Sequence, residues 1–148
     1  MRNIILFCLT FGIIMIFSDN VFSEEISLSD VDGEAVAYID TEKENTVFLW
    51  DGTPEAYLIK EKNWYNVYGF NGLHLGWYEK GLVYTHKGYV IGFKKGCMNI
   101  KVSLNEEKSR VDYLPFKHPK EKVPEKPKFI KQITYSECLG YFLRMGRD

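Results

Sequence analysis

The chain has 148 residues, of which 16% are aromatic and 26% charged, and its formal net charge is −1. This length fits one domain with a modest core. The charges are unevenly placed: residues 24–93 hold five Lys and twelve Asp or Glu, a net of −7, whereas residues 94–148 hold thirteen Lys or Arg and seven acids, a net of +6. The acidic first part argues against nucleic-acid binding. The basic remainder predicts a tail that docks on its own domain or on another anionic surface, with a solvated linker as the alternative.

Residues 1–23 have the pattern of a secretory signal peptide. Arg2 precedes an apolar run over residues 4–17, and residues 21–23 are typical of a cleavage site before Glu24. The apolar run is short for a membrane anchor. We therefore expect an exported protein, periplasmic or extracellular, whose mature chain begins at Glu24.

Residues 24–114 contain one short phrase four times, which predicts a repeated supersecondary unit. Each copy has a turn dipeptide ending in glycine, three variable residues, one tiny residue and one aromatic residue. The turn glycines are Gly33, Gly52, Gly72 and Gly88, the tiny residues are Ala37, Ala56, Gly76 and Gly92, and the aromatics are Tyr38, Tyr57, Trp77 and Phe93. Asp-Gly and Asn-Gly are typical of hairpins with type I′ turns, and Lys87-Gly88 fits that turn less well.

The repeat predicts a mainly β fold of four antiparallel hairpins, joined by short links into a meander. The expected strands are 26–31, 34–39, 46–50, 53–59, 65–70, 73–78, 82–86 and 89–93. Glycine and alanine are poor strand residues, so the tiny positions indicate crowding where the hairpins converge around a pseudo-fourfold axis. The aromatics would pack between neighbouring hairpins around one shared core.

Two phrases in this region carry a resemblance to a known family. Residues 67–78 read VYGFNGLHLGWY and residues 86–93 read HKGYVIGF, and both are similar to phrases of the bacterial 4-fold beta flower domain family. The resemblance covers about residues 33–93 and implies an all-β flower of four hairpins. It carries over no activity and no catalytic residue.

The pattern changes after the last repeat. Ile100, Val102 and Leu104 alternate with polar residues, as in one more strand. Residues 115–131 combine proline with Lys and Glu, which predicts an extended linker with polyproline II character. That composition excludes a central strand or a helix over the linker.

Residues 132–148 predict a short C-terminal helix that returns to the domain, with Ser136 as its N-cap. Leu139, Phe142 and Leu143 are spaced to share one helix face. Once a signal peptide is removed, Cys97 and Cys138 are the remaining thiols, and export favours a disulfide between them. Two free, buried cysteines are the alternative.

The two histidines of the repeat region are predicted to be structural. His74 and His86 occupy repeat positions that hold mostly apolar residues in the other copies, and no Cys or acid at ligand spacing completes a metal site. No nucleophile motif or phosphate-binding glycine loop occurs. Asp51, Glu55, Glu61 and Glu79 are expected in turns or loops, and nothing selects a catalytic pair among them. We expect no catalytic residue, metal or cofactor.

Aromatic residues are the better indication of function. Trp64 and Tyr65 lie in a link without counterpart in the other copies, and Trp50 and Tyr84 are further candidates for a contact surface. The sequence thus favours a non-catalytic binding or interaction module of the cell envelope, whose partner is an envelope protein or a glycan. The alternatives are a carbohydrate-binding module that uses exposed aromatics and a hydrolase that uses loop carboxylates.

Overall fold

A computed structural model describes residues 24–103, 108–109, 113–128, 130–135 and 137–147. The predicted signal peptide over residues 1–23 lies outside these residues, as do Leu104 and Ser136. The structure contains eight strands and one helix: β1 Glu25–Ser29, β2 Ala35–Asp40, β3 Thr46–Leu49, β4 Pro54–Glu61, β5 Trp64–Gly69, β6 His74–Glu79, β7 Leu82–Thr85, β8 Val90–Lys94 and α1 Leu139–Arg144. Every strand lies within two residues of its predicted bounds.

The eight strands form a closed antiparallel barrel in chain order. Strands β1 and β8 close it by pairing Leu28 with Lys94 and Ser29 with Phe93. The ninth strand predicted near Ile100 is wrong, because the described residues 100–103 form no strand of the closed barrel. No open sheet edge remains along this barrel, so Ser103 makes only an isolated parallel bridge to Glu34.

The antiparallel order gives the barrel two different ends. The turn end carries the connections β1–β2, β3–β4, β5–β6 and β7–β8, and the link end carries β2–β3, β4–β5 and β6–β7. The repeat glycines all lie at the turn end with φ between 84° and 89°. Each strand runs from one end of the barrel to the other. The two ends therefore face in opposite directions and are about one strand length apart.

The turns themselves are not of the predicted type I′. In the β3–β4 connection the Gly52 amide donates to the Leu49 carbonyl at 2.9 Å, and the Leu49 amide donates to the Thr53 carbonyl at 2.8 Å. Asp51 is not among the described residues with positive φ, so Gly52 alone takes the left-handed position. This is a type I turn closed by a glycine bulge. The residue before the glycine needs only an ordinary φ, which explains why lysine fits at position 87.

A β-bulge recurs in each of the four strand pairs that meet at the turn end. The register shifts next to one extra residue on the second strand of each pair. These extra residues are Val36, Glu55, Leu75 and Ile91. Glu55 therefore lies within β4 and is fully buried, in contrast to the turn or loop position predicted for it. Glu79 likewise ends β6, and Glu61 ends β4.

Helix α1 fills the barrel from inside. Its buried residues Leu139, Phe142 and Leu143 join the inward-facing residues of the strands in one core. The strand residues of that core are Leu28, Ala37, Ile39, Val47, Leu49, Ala56, Leu58, Val67, Leu75, Tyr78, Val83 and Ile91. The tiny positions make room for the helix, because a Cβ on Gly92 would lie 2.7 Å from Leu139 Cδ2 and one on Gly76 would lie 3.1 Å from Phe142 Cζ. No helix in the described part of the chain is long and apolar enough to span a membrane.

The end of α1 is held by the turn end of the barrel. The Asn71 side-chain amide donates to the Met145 carbonyl at 2.9 Å, and Arg147 pairs with the buried carboxylate of Glu55. The N-cap of α1 is Cys138, which makes no side-chain capping bond, so the prediction of Ser136 as the cap is wrong.

The tail is the segment 95–138, and its described residues lie outside the barrel and contact each connection of the turn end in sequence order. The Ser103 amide donates to the Gly33 carbonyl at 2.8 Å, His118 to Phe70 at 2.8 Å and Lys131 to Gly88 at 2.7 Å. At the second connection the Ser109 amide donates to the Trp50 carbonyl at 3.3 Å. The described tail residues thus contact all four turn-end connections before the chain enters the barrel as α1.

Outside the barrel, stacked aromatic pairs lie beneath the tail. Tyr38 stacks on Phe48, Tyr57 on Tyr68 and Trp77 on Tyr84, with centroid distances of 5.2, 6.1 and 5.8 Å. Each pair joins directly opposed residues of adjacent strands. The tail lysines Lys108, Lys117 and Lys126 lie over these rings or their neighbours and pair with Glu25, Glu44 and Glu79, respectively.

The predicted disulfide is absent, because Cys97 and Cys138 are both free and exposed. Cys97 lies against Gly81 in the β6–β7 connection, at the link end. Cys138 lies beside Val36, Trp50 and Asp51, at the turn end. The two thiols are at opposite ends of the barrel, beyond the reach of a disulfide without rearrangement of the backbone.

Candidate functional site

An open cavity of about 380 Å³ lies at the turn end, between the β5–β6 and β7–β8 connections and the end of α1. Leu73, Leu75, Phe142 and Met145 form its apolar wall. Leu73 and Met145 are 45% and 43% exposed, so this wall continues to the surface. The shape and lining are those of a small-molecule site, which is concave and mostly apolar with a few polar groups.

Six polar residues also line the cavity: His74, Thr85, His86, Lys87, Glu121 and Glu137. Thr85 is only 6% exposed, and its hydroxyl has no hydrogen-bond partner in the described structure. An unpaired buried hydroxyl costs free energy, on the order of 1–3 kcal/mol. A ligand could recover it only if the Thr85 side chain turned towards the cavity, because the Oγ1 atom has almost no accessible surface. Lys87 and the two glutamates bring opposite charges to one opening.

A chain of hydrogen bonds leads from the link end to this cavity. Asn66 Nδ2 donates to Glu61 Oε2 at 3.2 Å, which leaves Asn66 Oδ1 to accept from His74 Nε2 at 3.1 Å. His74 Nδ1 is then the acceptor for His86 Nε2 at 2.9 Å. This assignment makes His74 the Nε2–H tautomer and fixes the orientation of the exposed His86 ring.

His74 is buried between aromatic rings. It makes edge contacts with Tyr68 and Trp77, at 5.1 and 4.9 Å between centroids. Burial, with a smaller contribution from His86, lowers the pKa of His74 to about 4. His74 is therefore neutral near pH 7, as the hydrogen-bond chain requires.

Glu121 connects the histidine to the tail. Its Oε1 accepts a hydrogen bond from the His74 backbone amide at 2.6 Å, and its carbonyl accepts from the Tyr68 hydroxyl at 3.1 Å. The Glu121 amide in turn donates to the Gly72 carbonyl at 3.0 Å. These three bonds fix one tail residue at the wall of the cavity.

The histidines do not form a metal centre with other ligands. Both ring nitrogens of His74 are engaged in hydrogen bonds, and no group of three His, Cys, Asp or Glu in the described residues could hold a metal ion. The arrangement offers an oriented imidazole, a hydroxyl, an ammonium and two carboxylates around an apolar wall. Such a lining can bind and orient a small polar ligand.

Comparison with known proteins gives one match. Residues 26–139 match the family model described as 4-fold beta flower protein. The chain belongs to the 4-fold beta flower proteins. No curated protein and no solved structure matches it. Membership agrees with the small antiparallel β domain seen here and assigns no activity.

In this beta flower protein the four predicted contact aromatics do not line the cavity. Tyr84 is fully buried and its hydroxyl donates to Glu79 at 2.9 Å. Trp50 is half-buried with its ring edge on Tyr38. Trp64 and Tyr65 lie at the link end.

Trp64 is also covered by the tail, because the Lys126 ammonium lies 4.3 Å from its ring centroid. Tyr65 packs on Tyr78 at 6.0 Å. The faces that the sequence suggested for ligand stacking are thus largely occupied by residues of the same chain.

Sequence reasoning did not select Thr85, Lys87, Glu121 or Glu137. The available signal was the pair of histidines, His74 in β6 and His86 just after β7, at positions that hold mostly apolar residues in the other copies of the phrase. Two polar residues in successive copies of the phrase mark the part of the sequence that differs from the rest. The tail residues that complete the site carry no local pattern of their own.

Proposed function

We propose that this beta flower protein is an exported, non-catalytic module of the cell envelope, built from four hairpins around a pseudo-fourfold axis, that binds a small ligand in its turn-end cavity. The cavity is the observation that supports binding. It combines an apolar wall with the unpaired, buried Thr85 hydroxyl and an imidazole held by a neighbouring histidine. Export is supported by the pattern of residues 1–23.

The surroundings of His86 support binding at this place. His86 is exposed, yet its ring stacks on His74 with an interplanar angle of 13° and also contacts Trp77 at 5.5 Å. An exposed side chain held this way has already lost much of its rotational freedom. A ligand that contacts the ring would lose little further entropy on binding.

The two alternatives from the sequence find less support. A carbohydrate site on Trp50, Trp64, Tyr65 and Tyr84 would need ring faces that the tail and core now contact. A hydrolase would need an accessible pair of carboxylates. Glu121 and Glu137 both line the cavity, but Glu121 Oε1 is held by the His74 backbone amide at 2.6 Å. Of the loop carboxylates suggested by the sequence, Glu55 is buried against Arg147, and Glu79 is paired with Lys126 at 2.6 Å.

A fragment screen by NMR on the ¹⁵N-labelled chain from Glu24 to Asp148 tests binding and its location together. We expect a subset of small amphipathic fragments to shift amide signals of residues 73–75 and 85–87. Amides around Trp64 and Tyr65 at the link end serve as the internal control. Shifts confined to the link end would favour the carbohydrate-type surface, and a library that shifts neither region would overturn the binding proposal.

Export is tested separately. The full chain expressed in a Gram-negative host should appear in the periplasmic fraction with a mass and N-terminal sequence that begin at Glu24. Recovery from the cytoplasm with residues 1–23 intact would contradict export and leave the cavity proposal standing on its own test.

A further inference from the structure

We propose that the turn-end cavity binds a small zwitterion with an apolar body, such as a free α-amino acid with an aromatic or branched side chain. This inference rests on the binding function proposed above and names its ligand class. It follows from three features of the lining: the presence of opposite charges, an apolar wall and the unpaired Thr85 hydroxyl.

Opposite charges enter the cavity from different elements. Lys87 belongs to the β7–β8 connection, whereas Glu121 is held on the β6 side by the His74 amide. Glu137 comes from the segment just before α1. No described polar contact engages the Lys87 ammonium or the Glu137 carboxylate. A ligand with one charge of each sign could satisfy both kinds of group, which a simple cation or anion could not.

The same cavity has an apolar wall. Leu73, Leu75, Phe142 and Met145 lie on one cavity whose volume is about 380 Å³. That is at the lower end of the range for ligand pockets, roughly 300–1,000 Å³. An amino acid with a large apolar side chain would place that side chain on this wall. Burying apolar surface there supplies the affinity, and the charged groups supply the selectivity.

The buried hydroxyl supports a ligand with a polar group near the apolar wall. Thr85 is 94% buried, since its exposed fraction is 6%, and its Oγ1 lacks a partner among the described residues. A hydroxyl can donate to a carboxylate or accept from an ammonium. Because the Oγ1 atom itself has almost no accessible surface, either group of a zwitterion pairs with it only if the Thr85 side chain turns towards the cavity.

The test uses four probes with the same phenyl body: L-phenylalanine, 2-phenylethylamine, 3-phenylpropionate and 2-phenylethanol. Binding is measured by isothermal titration calorimetry and by amide shifts at residues 73–75 and 85–87 in the mature chain. We expect phenylalanine to bind about tenfold more tightly than either singly charged probe, and 2-phenylethanol to bind most weakly.

Two charge variants assign the ends of the ligand. Glu121→Gln keeps an oxygen for the His74 amide but removes the charge, and should weaken phenylalanine and 2-phenylethylamine about three- to tenfold while leaving 3-phenylpropionate unchanged. Lys87→Met should weaken phenylalanine and 3-phenylpropionate and leave 2-phenylethylamine unchanged. Glu125→Gln and Lys95→Met, both exposed and outside the cavity, are the matched controls and should change nothing.

The outcomes separate the two levels of proposal. Equal binding of phenylalanine and 2-phenylethanol at the cavity would overturn the zwitterion and keep the binding function. Preference for one singly charged probe would replace the zwitterion by that charge class. If no probe shifts the cavity amides and the fragment screen is also empty, both proposals fail. Equal loss in Glu121→Gln and Glu125→Gln would show an effect of net charge and would overturn the assigned role of Glu121.

Discussion

The inner and outer faces of the barrel are both buried, but by different kinds of contact. Inside, the apolar residues of α1 fill the space left by alanine and glycine. Outside, lysines of the tail lie over aromatic pairs and neutralise barrel acids. Apolar burial scales with area and is insensitive to moderate salt, whereas exposed ion pairs are screened beyond about 10 Å at 0.1 M salt. The chain after β8, made of the tail and α1, therefore stabilises the barrel through two contributions that experiments can separate.

The largest expected effect is on the inner face. Phe142→Ala removes a buried ring that fills the barrel, and should lower the free energy of unfolding by about 3–5 kcal/mol through lost burial and the cavity left behind. Tyr141→Ala, on the next residue of α1 and 69% exposed, should cost less than about 0.5 kcal/mol. Urea unfolding followed by circular dichroism measures both. Similar losses in the two variants would mean that α1 does not fill the barrel.

The tiny positions give a second test of the inner face. A Cβ on Gly76 would overlap the Tyr84 carbonyl oxygen, which is backbone, whereas one on Gly92 would meet the side chain of Leu139 at 2.7 Å. A leucine side chain can shift more readily than a strand. Gly76→Ala should therefore destabilise by about 1–3 kcal/mol and Gly92→Ala by less.

Thermal melts of both alanine variants measure the difference. The double variant Gly92→Ala with Leu139→Ala should lose less stability than the sum of the singles, because the smaller residue 139 relieves the contact. A Gly76→Ala variant that melts within about 2 °C of the parent would contradict the crowding at this position.

The contrast between barrel and tail also explains what the sequence could predict. Strand bounds follow from alternation and from glycines at the turns, which are local signals, so all eight strands were placed within two residues. The type I′ assignment was wrong because Asp-Gly and Asn-Gly serve both that turn and a type I turn with a glycine bulge. The loop of a type I turn with a glycine bulge is one residue longer than the loop of a type I′ turn. Strand ends that are predicted only to within two residues cannot resolve this difference.

Features that depend on distant residues could not be predicted. The ninth strand is excluded by the β1–β8 pairing, which no local pattern announces. The cavity brings Glu121 onto His74, 47 residues earlier in the chain. The buried position of Glu55 in a slot that holds Val36, Leu75 and Ile91 in the other copies depends on Arg147 near the other end of the sequence. The opposite net charges of residues 24–93 and 94–148 predicted that these two parts of the chain would be complementary. They did not predict which individual residues would pair.

The hydrogen-bond chain predicts a pH dependence of stability. The folded-state pKa of His74 is lowered from 6.5 to about 4, so its contribution is complete above pH 6.5 and is lost as the pH falls towards 4. Its size is on the order of 1–2 kcal/mol after discounting for solvent screening. Burial raises the pKa of Glu55, against the opposing effect of Arg147, so that group changes stability in the reverse direction.

Comparison of variants isolates the histidine from the carboxyl group. Urea midpoints at pH 7 and pH 4.5 should show a smaller drop for His74→Gln than for the parent, whereas His118→Gln in the exposed part of the tail should keep the parent's drop. If His74→Gln and the parent lose the same stability over this interval, His74 does not titrate as its surroundings indicate.

The smallest effect is expected on the outer face, where single tail lysines can be removed. Deleting the chain after Leu114 would also remove α1, so such a truncation measures mostly the apolar contribution. Lys126→Met instead removes the pair with Glu79 and the charge over Trp64 and Tyr84, and leaves α1 in place. We expect the free energy of unfolding to fall by about 0.5–1 kcal/mol in low salt and by less in 1 M NaCl, because these interactions are partly exposed.

Lys122→Met, on an exposed tail residue, is the control and should cost almost nothing at either salt concentration. A loss for Lys126→Met that is unchanged by salt would assign the outer layer to packing of the lysine stem on the rings, and the two faces of the barrel would then be buried by the same kind of contact.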